Sequence, residues 1–223
     1  VVFLQQKKMT FNNQVYSEIK DFIAKKSQKK VKIVAISKYH TLESVQQAIL
    51  SGVKIFGENR VQEAKSKFLA IKEHHKDIEL HLTGPLQTNK LKDALKIFDV
   101  FQTLDREKLA KEFFKNTEKI KNKLIFIQIN TGKEANKAGI YPESSHDFIQ
   151  YCLNDLKLPI VGLMCIPPIE EDPSQHFFKL KKIANKNKIY HLSMGMSNDY
   201  KEGVLCGATY IRVGSALFGN RNE

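Results

Sequence analysis

From Val31 onward the sequence alternates two kinds of apolar pattern, and it does so eight times. Short apolar runs read as buried strands, and stretches with apolar residues every three or four positions read as helices. Val31–Ser37 is the first predicted strand, and Thr41 caps a helix carrying Leu42, Val45 and Ile49 to a stop at Gly52. Val53–Phe56 follows, then a helical stripe of Val61, Ala64, Phe68 and Ile71. Ile78–Leu82 precedes a helix near 88–97, and Asp99–Thr103 precedes one capped by Asp105 whose Leu109, Phe113 and Ile120 face inward. Leu124–Asn130 is followed by a helix around 143–153, and Leu158–Met164 by one bearing Phe177, Leu180 and Ala184. Ile189–Leu192 and Thr209–Val213 complete eight strands, and one extra helix, with Phe11, Val15, Ile19 and Phe22 on one face, precedes them all. Strict alternation predicts an α/β fold of parallel strands covered by helices. Eight units suit a closed (β/α)8 TIM-type barrel, for which 223 residues is short but sufficient. An open doubly wound sheet is the competing arrangement.

Composition narrows the class. With 42% hydrophobic residues, 14 Phe and 7 Tyr, the chain can bury a sizeable core. The longest uncharged apolar stretch, 158–169, carries three prolines and is far short of a membrane span. The formal charge of +12 raises nucleic acid as a partner, but only four of the 36 basic residues are Arg and aromatics are not interleaved with them. The charge is read as solvated lysine faces, with no nucleic-acid or membrane partner expected. Cys152, Cys165 and Cys206 are odd in number and form no CxxC pair, which predicts buried thiols in a reducing cytoplasm. The seven His show no metal-ligand spacing. The chain opens on Val1 with its first Met at position 9; residues 1–10 are expected as a tail and 11–223 as a single domain.

In a (β/α)8 barrel the chemistry lies at the C-terminal ends of the strands. The residues that fall there include Lys38, Glu58, Asn59, Thr83, Gly84, Asn130, Met164, 193–197 and 212–215, a polar and glycine-rich set unlike the strand interiors. Lys38 follows the apolar run Val31–Ile36 with only Ser37 between, so its amine sits at the barrel rim, where partial desolvation favours the neutral form that attacks carbonyls. In so Lys-rich a chain, position alone does not separate it from a surface lysine. The segment 210–219 (YIRVGSALFG) delivers Gly214 and Ser215 to the start of a short helix, and 193–197 supplies the loop after strand seven. Together they suit a phosphate cup, although a tight turn with a helix cap accounts for the same residues. Arg212 stands in a strand that is otherwise apolar, where it is a donor fork aimed into the mouth, half of a buried ion pair or a snorkelling edge residue. A Lys nucleophile, a phosphate cup and an inward Arg fit a phosphorylated aldehyde.

The motifs 35–38 (AISK) and 56–63 (FGENRVQE), then 81–90 (HLTGPLQTNK), resemble those of the pyridoxal phosphate homeostasis proteins. The match continues through 128–130 with 136–139 (NKAG), 162–164 (GLM), 192–199 (LSMGMSND) and 212–219 (RVGSALFG). These proteins share the barrel of alanine racemase-type enzymes. The resemblance covers about residues 11–221, with motifs in order at every barrel end. It implies pyridoxal 5'-phosphate as cofactor, carried as a Schiff base (internal aldimine) on Lys38. It further implies Ser197, Gly214 and Ser215 at the phosphate with Ser193 nearby, Arg212 at the pyridine nitrogen and Asn59 along the ring. Lys137 is implied as an accessory group near the phosphate, and Met164 as a neighbour. Tyr39-His40-Thr41 replaces the Thr-x-Pro common after the lysine, and Ser215 stands where Thr is frequent.

The function implied is intracellular vitamin B6 balance, with cofactor-requiring apo-enzymes as recipients and no strong catalysis. A cation at the pyridine nitrogen leaves the ring a weak electron sink. Alanine racemases complete the second face with a Tyr from an added β domain; none is expected here, since the sequence stops soon after the last barrel element. A monomer is expected. The alternative is a cofactor-dependent amino-acid racemase or lyase of weak activity.

Overall fold

The structure, a computed structural model, describes residues 11–219; the tail expected at 1–10 lies outside them. The first helix, α1 (Asn13–Lys26), is capped by Asn12, whose side chain accepts the Val15 N–H at 3.0 Å. Phe11 before the cap packs on Tyr16, with ring centroids 5.9 Å apart, as a hydrophobic staple. The alternation then runs β1 (Lys32–Ile36), α2 (Leu42–Leu50), β2 (Ile55–Glu58), α3 (Val61–His74), β3 (Glu79–Leu82), α4 (Leu91–Ala94) and β4 (Val100–Leu104). It continues through α5 (Glu107–Phe114), α6 (Thr117–Ile120), β5 (Leu124–Gln128), α7 (Ser145–Gln150), β6 (Ile160–Met164) and α8 (Pro173–Lys186). The last elements are β7 (His191–Ser193), α9 (Tyr200–Cys206), β8 (Tyr210–Val213) and α10 (Ser215–Phe218).

All neighbouring strands pair in parallel, and β8 closes on β1 in the register Val34 with Arg212 and Ala35 with Val213. The barrel is closed, not an open sheet. Side chains one apart on a strand face opposite ways. Ile33, Ala35, Ile125, Ile127, Ile211 and Val213 therefore join the outer core under the helices, while Val34, Ile36, Phe126, Met164 and Tyr210 fill the barrel itself. Among the described residues no helix is long and apolar enough to cross a membrane, and the three cysteines are free and buried.

Several boundaries differ from expectation, each for a local reason. β2 starts two residues late because Gly52 turns the chain at φ 86° and the Val53 N–H returns to Ala48 O at 3.0 Å. β6 starts after Pro159, which has no N–H to give a ladder. Asp105 does not cap α5: its carboxylate pairs with the Arg106 guanidinium at 2.5 Å, and Arg106 occupies the cap position. The helix expected to reach Ile120 breaks into α5 and α6 at Asn116, whose amide donates to Glu112 O at 2.9 Å. The helix expected near 88–97 contracts to a 3₁₀ turn plus α4, and the one around 143–153 enters through a 3₁₀ turn and leaves through a π turn.

Candidate functional site

The C-terminal mouth of the barrel holds a cavity of about 770 Å3, walled by residues from most of the strand ends. β1 extends by one rung through Ser37, whose N–H donates to Gly57 O at 3.0 Å, and Lys38 then enters the cavity wall half-buried. From the end of β2 comes Asn59, whose side-chain oxygen accepts the Thr83 hydroxyl at 3.0 Å. That contact requires Gly84, where an added Cβ would lie 2.5 Å from Asn59 O.

On β8, Arg212 is 4% exposed and reaches the cavity from below. Its guanidinium donates to Cys165 O and to the Ser193 hydroxyl, both at 2.8 Å. Burial pushes Arg212 below its ordinary value, with Cys165 and Asp199 opposing. A guanidinium so placed still keeps its protons. Burial pushes the Cys165 thiol up to about 12, so it stands neutral beside the cation. Above Arg212 the chain leaves β8 through Gly214 into α10. The N–H groups of Gly214 and Ala216 converge on the Ser197 hydroxyl at 3.2 and 3.4 Å, and Ser215 lines the same wall. Two hydroxyls and two backbone donors thus share one corner.

Six residues singled out from the sequence line this one cavity: Lys38, Asn59, Ser197, Arg212, Gly214 and Ser215. Three do not. Ser193 is fully buried and faces the barrel interior, where it accepts from Arg212 and donates to Gln102 Oε1 at 2.5 Å. It serves the arginine and does not line the cavity. Met164 is fully buried beneath the cavity with Val34, Phe126 and Tyr210, because it ends β6 on its inward face. Lys137 stands behind the wall, paired with Glu134 at 2.7 Å and donating to Pro167 O at 3.2 Å. It braces the segment 166–169 that closes one side of the cavity.

Sequence reasoning missed His40, Glu171, Asn198 and Asp199 in the wall, and a file of polar side chains through the barrel. Ser193 donates to Gln102, the Gln102 amide meets His81 Nδ1 at 2.7 Å, and His81 Nε2 meets Glu79 Oε1 at 2.8 Å. The signal was present: Gln102 and His81 are polar residues in the middle of apolar strands.

The alanine racemase N-terminal domain family matches residues 16–222. A pyridoxal phosphate homeostasis protein of Aquifex aeolicus (strain VF5) is 36% identical over 202 residues, 85% of this chain and 87% of that one. One of Pasteurella multocida (strain Pm70) is 37% identical over 210 residues, 89% of this chain and 90% of that one. PipY of Synechococcus elongatus PCC7942, solved without PLP, superposes with a TM-score of 0.83 at 30% identity, over 93% of this chain and 99% of its own. With PLP bound its TM-score is 0.80 over the same shares. Alanine racemase from Acinetobacter baumannii shares the fold, with a TM-score of 0.70 at 17% identity; this chain covers 61% of that enzyme.

Proposed function

This chain belongs to the pyridoxal phosphate homeostasis proteins of the alanine racemase N-terminal domain family, and from that premise we propose that it carries the cofactor on Lys38 without turning over a substrate of its own. The observation that carries the reading is the convergence of Lys38, Arg212 and the corner at Ser197, Gly214 and Ser215 on one cavity. The donor set fits the cofactor. An amine suits an aldehyde, a fixed guanidinium suits a ring nitrogen, and two hydroxyls with two N–H groups suit a phosphate. Gly214 lets the end of β8 pass close to the end of β1, since a Cβ there would stand 3.3 Å from Ile36.

When bound, pyridoxal phosphate supplies an aldehyde that condenses with amines and a ring that draws electrons from them. Everything else is the work of this chain. Ser197, Ser215 and the two N–H groups anchor the anion. Asn59, itself held by Thr83, lines the ring, and the wall at 166–169 limits water. Arg212 donates a hydrogen bond without delivering a proton, which holds the ring while leaving it a poor electron sink and so favours carriage over turnover. Recipients are apo-enzymes that require the cofactor.

The test is spectroscopic. Purified protein given pyridoxal phosphate should develop a near-visible band that borohydride fixes as a covalent adduct on Lys38, and Lys38→Ala should lack it. A panel of amino acids should show no Lys38-dependent turnover. Absence of the band sinks cofactor carriage, and turnover lost in Lys38→Ala sinks the non-catalytic part.

A further inference from the structure

The turn that presents Lys38 is held from outside the cavity by two side chains of α3, Glu63 and Lys67, and by Arg60 just before it. The His40 N–H donates to Ser37 O at 3.1 Å, closing a tight turn with Lys38 and Tyr39 at its centre. Tyr39 sits at φ 65°, the left-handed region that a side chain with a Cβ disfavours. Nothing in the local sequence suits that conformation; Gly or Asn would. The compensation comes from the start of α3 and the residue before it. Glu63 Oε1 accepts the Tyr39 N–H at 2.5 Å. Lys67 Nζ donates to Ser37 O at 2.7 Å and to His40 O at 3.3 Å, gripping the carbonyls on both sides of Lys38. The Arg60 guanidinium lies 5.8 Å from the centre of the Tyr39 ring.

Lys67 is itself 6% exposed and lies between two carboxylates, Glu58 at 2.7 Å and Glu63 at 2.9 Å. Glu58 is fully buried, accepts the Ser37 hydroxyl at 2.7 Å, and leaves its Oε2 without a hydrogen-bond partner. Such a cluster is a poor way to gain stability, because desolvation of buried charges offsets most of their attraction. It is a good way to fix geometry, since each charge specifies where its partner must stand. Neither Glu63 nor Lys67 lines the cavity.

We propose that Glu63 and Lys67 are positioning residues that hold the disfavoured turn at Tyr39 and thereby aim Lys38 into the cavity. The proposal rests on the carrier reading for what Lys38 does there. Without the grip, the turn relaxes toward right-handed conformers and the amine spends less time at the mouth.

The experiment measures how fast Lys38 of the apo-protein is modified by pyridoxal phosphate under cyanoborohydride, by peptide mass and relative to the other lysines. Glu63→Ala should slow labelling of Lys38 about tenfold, the equivalent of one charge-assisted hydrogen bond. Glu63→Gln keeps an acceptor oxygen and should lose no more than about threefold, as a neutral bond would. Tyr39→Gly makes the left-handed turn native to its residue, so Glu63→Ala combined with Tyr39→Gly should recover most of the wild-type rate. A purely structural role for Glu63 predicts no such rescue. Lys67→Met should act in the same direction; if it does not fold, the Glu63 series, at a side chain 22% exposed, still decides. Wild-type labelling matched by Glu63→Ala, or a glycine that fails to rescue, overturns the proposal and leaves the carrier reading intact. A wild-type protein in which Lys38 is labelled no faster than other lysines overturns both.

Discussion

Arg212 donates its hydrogen bonds, among the described residues, to a hydroxyl and a carbonyl and to no carboxylate. The nearest anion on its hydrogen-bonded path is Glu79, at the far end of the file through Ser193, Gln102 and His81. The donors run one way. Arg212 and Ser193 donate toward Gln102, the Gln102 amide donates to His81 Nδ1, and the His81 Nε2–H is left for Glu79. His81 is therefore held neutral as one tautomer. Burial is the largest influence on it and lowers its affinity for a proton; the Glu79 carboxylate and Asp99 oppose, and Lys32 adds to the lowering. A group depressed in the folded protein contributes stability that is full above its ordinary value of 6.5 and is lost as pH falls. Acid unfolding should therefore steepen below that pH, and His81→Gln, which keeps a donor and an acceptor, should flatten the limb by up to about 1.4 kcal/mol per pH unit. His40 and His191, also lowered by burial, remain in both proteins, so only the difference is assigned to His81. Denaturant melts at several pH values measure it; identical limbs would reject the neutral tautomer. The sequence marked Gln102 and His81 as polar in apolar strands, yet the partnership of Ser193 with Gln102 joins strands 91 positions apart. That separation is why periodicity along the chain records nothing of the bonds Ser193 makes to Gln102 and Arg212.

The strands were legible because each is a compact apolar run with its faces sorted by alternation. Their ends, and those of the helices, depend on single hydrogen bonds such as Val53 to Ala48 or Asn116 to Glu112, which no periodicity records. One interior position shows how tightly the strands are fitted. Gly162 lies inside β6 facing Phe126 of β5, and a Cβ there would stand 2.2 Å from that ring and 2.7 Å from His191 O. The ring could shift, but it is fully buried among Met164 and Tyr210, and the His191 carbonyl belongs to the neighbouring strand. Gly162→Ala should therefore destabilise the protein by about 1–3 kcal/mol as overpacking does, despite adding only a methyl group. Chemical denaturation gives the value directly, and an unchanged midpoint would mean that the barrel interior yields more easily than its packing shows.

Closure of the barrel was legible by counting eight strand–helix units, whereas the seal between the two ends of the described chain was not. The helix α1 looked from its sequence like an ordinary amphipathic segment with Phe11 on its face. In the structure Phe11 precedes the helix, and the Asn12 N–H donates to Leu217 O at 2.7 Å. Phe11 is 5% exposed and packs on Phe218 with ring centroids 5.3 Å apart. Phe218 in turn stacks on His40, at 5.1 Å, in the cavity wall beside Lys38. One aromatic file thus ties the first described residue to α10, at whose start the Gly214 and Ala216 N–H groups meet the Ser197 hydroxyl, and to the turn that carries Lys38. Phe11→Ala should cost about 3–5 kcal/mol in unfolding free energy, the usual loss for a buried Phe. It should also weaken pyridoxal phosphate uptake, because α10 loses the surface that fixes it. A second consequence separates the two effects. Saturating cofactor stabilises only the folded state, by about 2.7 kcal/mol at a hundredfold excess over its dissociation constant, so at one fixed cofactor concentration the variant should gain less than wild type. Thermal melts of both proteins with and without pyridoxal phosphate test this together. Equal gains would show that α1 supports the barrel as a whole and leaves the cavity as it was.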